Sequence, residues 1–395
     1  MKFWLLLAGC VLMAGTVFAE SFSFEREEID GGVEIGYGLA VGDVDGDGKD
    51  DVILADKVDL VWYRNPDWER YVIAKGLSLR DNVCVAAADL DGDGKVEIAA
   101  GANWNPAETS DEKASGSVHV FTGPDDVTRR WPHFELPHEP TVHRMHWVEW
   151  REEPEGEARW SLVVLPLHGR GNVKGEGENG VRVFAYDVPV KAGDWGNGAA
   201  WERRLLSETM HVTHNFDVLG HGEVAVGGLE GIERIDVSGA HGAAFFETEE
   251  YADGARGLGE IRRGPALVGD EAKTERYVSV EPLHGNRLVV RDVGTGEMEV
   301  LEAGLKHGHA LACGDLDGDG NEEIVVGWRQ PDAEERVGIK IYSRGEDGWE
   351  MALLDDNGMA CEDLKVVDLD GDGRLDVVGS GRATGNVVIY WNRGE

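Results

Sequence analysis

Four segments of this chain repeat one pattern, Asp-x-Asp-Gly-Asp-Gly followed by an acid and an apolar run, and that repetition constrains the fold more than any other feature. They are Asp43-Val44-Asp45-Gly46-Asp47-Gly48, Asp89-Leu90-Asp91-Gly92-Asp93-Gly94, Asp315-Leu316-Asp317-Gly318-Asp319-Gly320 and Asp368-Leu369-Asp370-Gly371-Asp372-Gly373. Each reaches an acid at the ninth place: Asp51, Glu97, Glu323 and Asp376. Asp at positions one, three and five offers hard oxygen ligands, and Gly permits the tight turn. The backbone carbonyl at position seven (Lys49, Lys95, Asn321, Arg374) and the acid at nine complete a Ca²⁺ shell. An EF-hand also needs Glu at position twelve, where this chain has Leu54, Ala100, Val326 and Gly379. The flanks are β-like, not helical. The pattern therefore predicts strand–loop–strand calcium sites.

Degenerate copies fill the gap between residues 97 and 315. His146-Trp147-Val148-Glu149 leads to Leu162–His168, Asn215-Phe216-Asp217-Val218 leads to Val224–Gly227, and Gly259-Glu260-Ile261-Arg262 leads to Val278–His284. Seven repeats of roughly fifty residues, each one four-stranded blade, predict an all-β seven-bladed β-propeller over residues 20–395. A further strand opens on Trp68-Glu69, Trp201-Glu202 and Trp349-Glu350, and Phe24-Glu25 resembles it. The chain ends on Asn386–Trp391, the strand that should precede that element. The N-terminal strand is thus expected to complete the last blade and remove free sheet edges.

Composition narrows the partners. The 395 residues would suit two or three ordinary domains, but the repeats make them one. The net charge of −38 repels nucleic acid and anionic membranes, and no protein partner is evident. Residues 1–19 read as a signal peptide, with Lys2 ahead of an apolar stretch and a cleavage site at Val17-Phe18-Ala19. Secretion or a periplasmic location follows; Leu7-Ala8-Gly9-Cys10 offers a competing lipobox. Cys84, Cys313 and Cys361 are odd in number and read as buried free thiols rather than a disulfide framework.

Blade register then sorts the polar residues. The calcium loops join the first and second strands, so they share one face of the ring. The entry to the first strand, six residues before the first Asp, lies on the other face, as does the loop after the second strand. The entry positions hold Tyr37, Val83, His143, His309 and Glu362; His214 joins them when its degenerate loop is allowed a short deletion, and Glu260 is the candidate from the fifth repeat. The exits hold Asn103-Trp104, His168, Glu230, His284, Arg329 and Arg382. Five histidines (His143, His168, His214, His284, His309) are expected around one mouth of the channel, with Tyr37, Arg170 and Arg329 beside them. Neutral imidazole is a usual Zn²⁺ ligand and a usual acid–base group. His143, His214, His284 and His309, with Glu260 and Glu281, are the candidate ligands of Zn²⁺ or another divalent metal. His119, His133, His138, His211, His221, His241 and His307 read as outer-strand or turn residues.

The Asp-x-Asp-Gly-Asp-Gly loops resemble those of FG-GAP/VCBS propellers. His214-Asn215-Phe216-Asp217, Gly259–Arg262, Glu281–Asn286 and His307–Leu311 resemble the propeller of the aldos-2-ulose (1,5-anhydro-fructose) dehydratases. That resemblance implies a carbohydrate lyase acting by dehydration of a keto-sugar, with a metal in the propeller pocket. The further cupin domains of the fungal enzyme have no counterpart here, which puts an isomerising step in doubt. Two other readings compete. One is a non-catalytic sugar- or protein-binding propeller using Trp104, Trp147 and Trp328 as platforms. The other is a polysaccharide lyase working through His, Tyr and Arg.

Overall fold

The computed structural model describes residues 22–152, 156–173, 176–239, 244–248, 250–252, 254–268 and 275–394. The expected signal peptide, the lipobox at Cys10 and His241 lie outside the described residues. Seven four-stranded antiparallel sheets form the blades. Their innermost strands are Gly38–Gly42, Cys84–Ala88, Val142–Trp150, Thr213–Gly220, Ile261–Arg263, Gly308–Gly314 and Cys361–Val367 for blades one to seven. Blade seven takes its fourth strand from the N-terminus: Phe24–Asp30 pairs antiparallel with Asn386–Asn392. Among the described residues, two short 3₁₀ turns, Ala192–Asp194 and Gly198–Ala200, are the helical structure, and no helix is long and apolar enough to cross a membrane.

Apolar residues from both faces of each blade fill the wedges between neighbours. Ile53, Trp62, Ile98 and Phe121 close the wedge between blades one and two. Leu54, Val61, Val378 and Ile389 do the same between blades one and seven. The closing wedge is as apolar as the others. Each such buried side chain contributes about 1.5–3 kcal/mol. Cys84, Cys313 and Cys361 are free, with Cys84 and Cys361 buried.

Polar staples at the loop face supplement this packing. Asn65 donates from Nδ2 to the Leu369 carbonyl at 2.7 Å, joining blade one to the acidic loop of blade seven. Asn392 donates in the same way to the Leu316 carbonyl at 2.7 Å, joining blade seven to the loop of blade six. The backbone N–H groups of these two residues donate to the ninth-place acids Asp51 and Asp376. These two asparagines thus tie the loops of blades six and seven to the adjoining blades. Asn392→Ala leaves the Leu316 and Leu375 carbonyls without this donor. It is expected to cost about 1–3 kcal/mol, read as a lower urea midpoint at unchanged slope.

Candidate metal centre at the channel mouth

A local irregularity in the innermost strands brings the histidines to the axis. Register shifts interrupt pairing between Val142 and Arg144, Thr213 and Asn215, Gly308 and Ala310, and Cys361 and Asp363. The extra residues in these four bulges are His143, His214, His309 and Glu362. A bulge leaves its extra residue unpaired and re-aims its side chain. Blades one and two pair without a shift at this level, through Gly38 and Cys84.

The bulged residues hold one another. His143 Nδ1 lies 2.7 Å from the His214 carbonyl, and His309 Nδ1 lies 2.7 Å from the Glu362 carbonyl. A carbonyl only accepts, so both rings carry their proton on Nδ1 and leave Nε2 bare. His214 Nδ1 lies 3.3 Å from Glu260 Oε1, which orients that ring the same way. His284 arrives from the loop after the strand Arg276–Glu281. Its Nε2 stands 2.8 Å from His214 Nε2, and its ring stacks on His309 at 4.9 Å and 7°. Ring nitrogens of His214, His284 and His309 all fall within 4.8 Å of one another.

Electrostatics favour neutral rings. Burial holds His143 and His309 well below the usual imidazole range, with Arg144 and Arg329, respectively, adding to it. Burial also takes His284 down to about 2, helped by His214 and Arg329. Burial lowers His214 too, against the pull of Glu260. Burial opposes ionisation of Glu260, but the contact with His214 and the charges of Arg144 and Arg262 outweigh it and hold the carboxyl below its usual range. Glu260 is therefore an anion behind a neutral ligand, the carboxylate–histidine arrangement that orients metal-binding imidazoles. Asn215 also donates to it.

The donor set suits a divalent metal such as Zn²⁺: three neutral imidazoles converge, backed by a carboxylate. Two bare Nε2 atoms 2.8 Å apart repel unless a proton or a cation lies between them, which agrees with that fit. His143 stands beside the set rather than in it. Its ring meets His214 edge-on at 4.8 Å, and its Nε2 lies 3.2 Å from Arg144 Nη1. On the far flank Glu362 takes two contacts of 2.6 Å from Arg329 and one of 3.0 Å from Arg382. Arg382 lies over the Tyr37 ring, whose hydroxyl donates to Asp81 at 2.9 Å. A small void of about 30 Å³ is lined by Tyr37, Arg144, His146, Asn215 and Lys365.

Other expected site residues lie elsewhere. The backbone of His168 is drawn into a bridge with Val212, and its buried Nδ1 has no hydrogen-bond partner. Arg170 is committed to Glu112 and Glu139 and turns outward. Glu281 is taken by Ser279, Tyr251 and Arg291, so it does not reach the imidazoles. Trp147 and Trp328 are buried, which removes them as platforms, while Trp104 is half-buried and packs on His143 at 5.0 Å. His307 lies in a turn as expected, but its ring stacks over His284 at 5.9 Å and 12°. Its positive φ of 51° folds it back over the site. Neither His307 nor Arg144 was singled out for the site by blade register.

The acidic loops repeat one geometry on the other face. Carboxylate oxygens at positions one, three and nine converge within 4.8 Å in all four: Asp43, Asp45, Asp51; Asp89, Asp91, Glu97; Asp315, Asp317, Glu323; Asp368, Asp370, Asp376. The position-five acids Asp47, Asp93, Asp319 and Asp372 each turn one oxygen onto the N–H of residue seven. Gly46 and Gly48 adopt φ of 80° and 85°, as their counterparts do, a turn that side chains resist.

With the geometry established, comparison with known proteins adds the repeat type. A family profile described as "FG-GAP-like repeat" matches residues 43–100, and one described as "FG-GAP repeat" matches residues 85–121. Blades one and two of this seven-bladed propeller thus carry FG-GAP repeats. A comparison with curated proteins finds no match. Among solved structures, a chain of "Crystal Structure of Mitotic Checkpoint Complex" is similar at TM-score 0.59 and 10% identity, covering 98% of this chain and 100% of that one. A chain of "Crystal structure of BBS1N in complex with ARL6DN, soaked with mercury" is similar at TM-score 0.56 and 13% identity, covering 94% and 96%. These similarities concern the fold alone.

Proposed function

We propose that this FG-GAP propeller is a secreted carbohydrate lyase that removes water from a keto-sugar of the 1,5-anhydro-fructose type. The observation that carries the reading is the meeting of His214, His284 and His309, from three different blades, in front of the Glu260 carboxylate. A divalent cation held there supplies Lewis acidity at a carbonyl oxygen. The chain's own groups do the rest. Trp104, half-buried at the mouth, offers an apolar face to a sugar ring. His143 Nε2 takes the proton from the carbon next to the carbonyl, and the electrons of that C–H bond form the new C=C bond. The adjacent C–O bond breaks, and the imidazolium returns the proton to the leaving oxygen, so one water departs. Arg329 and Arg382, next to Glu362, stabilise the negative charge that develops on the carbonyl oxygen. The four acidic loops bind Ca²⁺ and brace the opposite face.

A second reading, a sugar-binding propeller without turnover, is favoured by the same Trp104 and by how completely Glu362 and Glu260 are paired. One experiment separates them. Purified protein is analysed for metal before and after mild EDTA and incubated with 1,5-anhydro-fructose and with polyuronides while ultraviolet absorbance is followed. The lyase reading expects a transition metal beyond the calcium complement and an enone absorbance that grows on the keto-sugar. Growth on the polyuronide alone points to a polysaccharide lyase, and a flat trace on all substrates sinks the enzymatic reading.

A further inference from the structure

The face opposite the imidazoles is uneven, and the unevenness makes a cleft. In blade one Gly42 pairs with Asp51, and residues 43–50 stand above that pair as the acidic loop. Blades two, six and seven are built alike. Blade four turns back at once. Gly220 pairs with Glu223, and the turn between them is His221 and Gly222, with φ of 54° and 80°. A Cβ on Gly222 would lie 2.7 Å from Trp150 Cβ, so the turn packs directly on blade three. Beside it lies a cavity of about 940 Å³, lined among others by Trp147, Trp150 and Trp160 and by Glu149, Glu152 and Glu223. Small-molecule sites are commonly of about this size.

The aromatic wall is held from behind. Arg159 and Arg204 cover the Trp150 ring at 5.5 and 5.2 Å, and its Nε1 donates to Ser161 Oγ at 2.7 Å. Strand pairing sets Trp160 opposite Glu149, and Trp147, two residues before Glu149, shares that face. Trp147 is buried, and its Nε1 has no hydrogen-bond partner. An indole N–H only donates, so an acceptor is missing there whatever the protonation of the surroundings. Trp160 is half-buried, and among the described residues no ring or cation stacks on it. A ring presented in this way offers an apolar platform.

The acids of the cleft are already paired. Glu149 meets Arg151 at 2.9 Å, Glu152 meets Arg159 at 3.2 Å, and Glu223 meets Arg234 at 2.6 Å. A paired carboxylate keeps lone pairs for hydroxyl groups, while its charge no longer calls for a free cation. The net charge of −38 works against an anionic ligand. An aromatic platform edged by neutralised acceptors fits an uncharged, hydroxyl-rich ligand.

We propose that the cleft between blades three and four binds a neutral oligosaccharide, with a sugar ring stacked on Trp160 and its hydroxyls donating to Glu149 and Glu223. The cleft lies on the face away from His214, His284 and His309, so it does not rest on the role proposed for them.

Calcium-loaded protein is titrated by calorimetry with cellohexaose, maltohexaose and mannohexaose, with polygalacturonate and spermidine as charged competitors. At least one neutral hexasaccharide is expected to bind, and neither competitor to displace it. Trp160→Ala is expected to weaken binding at least about tenfold. Trp160→Phe keeps an aromatic face and the packing, and should bind within about threefold of wild type. Thermal melts of both variants tell loss of the platform from loss of the fold. His284→Ala is expected to bind as wild type does. The proposal is overturned if no neutral hexasaccharide binds, if a charged competitor displaces it, if Trp160→Ala binds as tightly as wild type, or if His284→Ala abolishes binding and so places the sugar at the channel mouth.

Discussion

Stripping calcium at pH 8 is expected to lower the melting temperature by more than about 10 °C, the largest single loss of stability anticipated for this protein. The four loops gather three carboxylates each into a space under 5 Å across. Burial pushes the ninth-place acids up, Asp51, Glu97 and Glu323 to about 7, with the other loop carboxylates adding like charge. Two of these acids, Asp51 and Asp376, also anchor the Asn65 and Asn392 staples to adjoining blades. A ligand at a hundred times its Kd contributes ~2.7 kcal/mol per site, and four sites act together. The sign of the pH dependence follows from the raised values. An acid whose folded pKa exceeds its unfolded one favours the fold at low pH, and that contribution is lost as pH rises through about 7. Calcium-free protein should therefore melt higher at pH 5 than at pH 8, and calcium should reverse the order. Calorimetry in EGTA and in excess calcium at both pH values checks this, and superimposable melts with and without calcium at pH 8 would refute calcium binding by the loops.

The fold was legible because its determinants are local and repeated. Asp spaced by two, Gly at positions of positive φ and an apolar run after the ninth-place acid survive in four blades. Apolar second strands mark the rest. Counting back from the loops also selected His143, His309 and Glu362, with His214 on allowing a short deletion and Glu260 as the fifth repeat's candidate, and the structure joins them in the contacts His143–His214, His214–Glu260 and His309–Glu362. The bulges that aim four of them inward have no residue signature, because an unpaired residue in a strand differs from its neighbours only in pairing. Register could not distinguish the matched exits Pro166-Leu167-His168 and Pro282-Leu283-His284. Only the second reaches the axis, since the first is held by the bridge to Val212. Trp328 was misjudged for a similar reason: a large aromatic at a strand end can face either way. Here its Nε1 donates to the Arg336 carbonyl and the ring is buried. His307 was missed because a turn residue with positive φ sends its side chain where strand alternation does not.

His284→Ala and Glu260→Gln should separate ligand from supporting carboxylate at the channel mouth. His284 is partly exposed and sits in a loop, so its removal leaves the blades intact. It takes away one of the three converging nitrogens, and keto-sugar turnover should fall about a thousand-fold or more, with the transition metal lost from the purified protein. Glu260→Gln keeps the volume and an acceptor for the proton on His214 Nδ1 but removes the charge. That substitution should weaken metal binding about 10- to 100-fold and leave turnover largely recoverable at high metal concentration. It also leaves Arg144 and Arg262 facing a neutral group, since both stand 3.8 Å from the carboxylate. A lower melting temperature is therefore expected for Glu260→Gln but not for His284→Ala. Metal content by elemental analysis, titrated recovery of activity and thermal melts give three independent readings. Should His284→Ala keep both its metal and its turnover, the three-imidazole centre is not the working site, and the channel histidines are left as packing for the bulges.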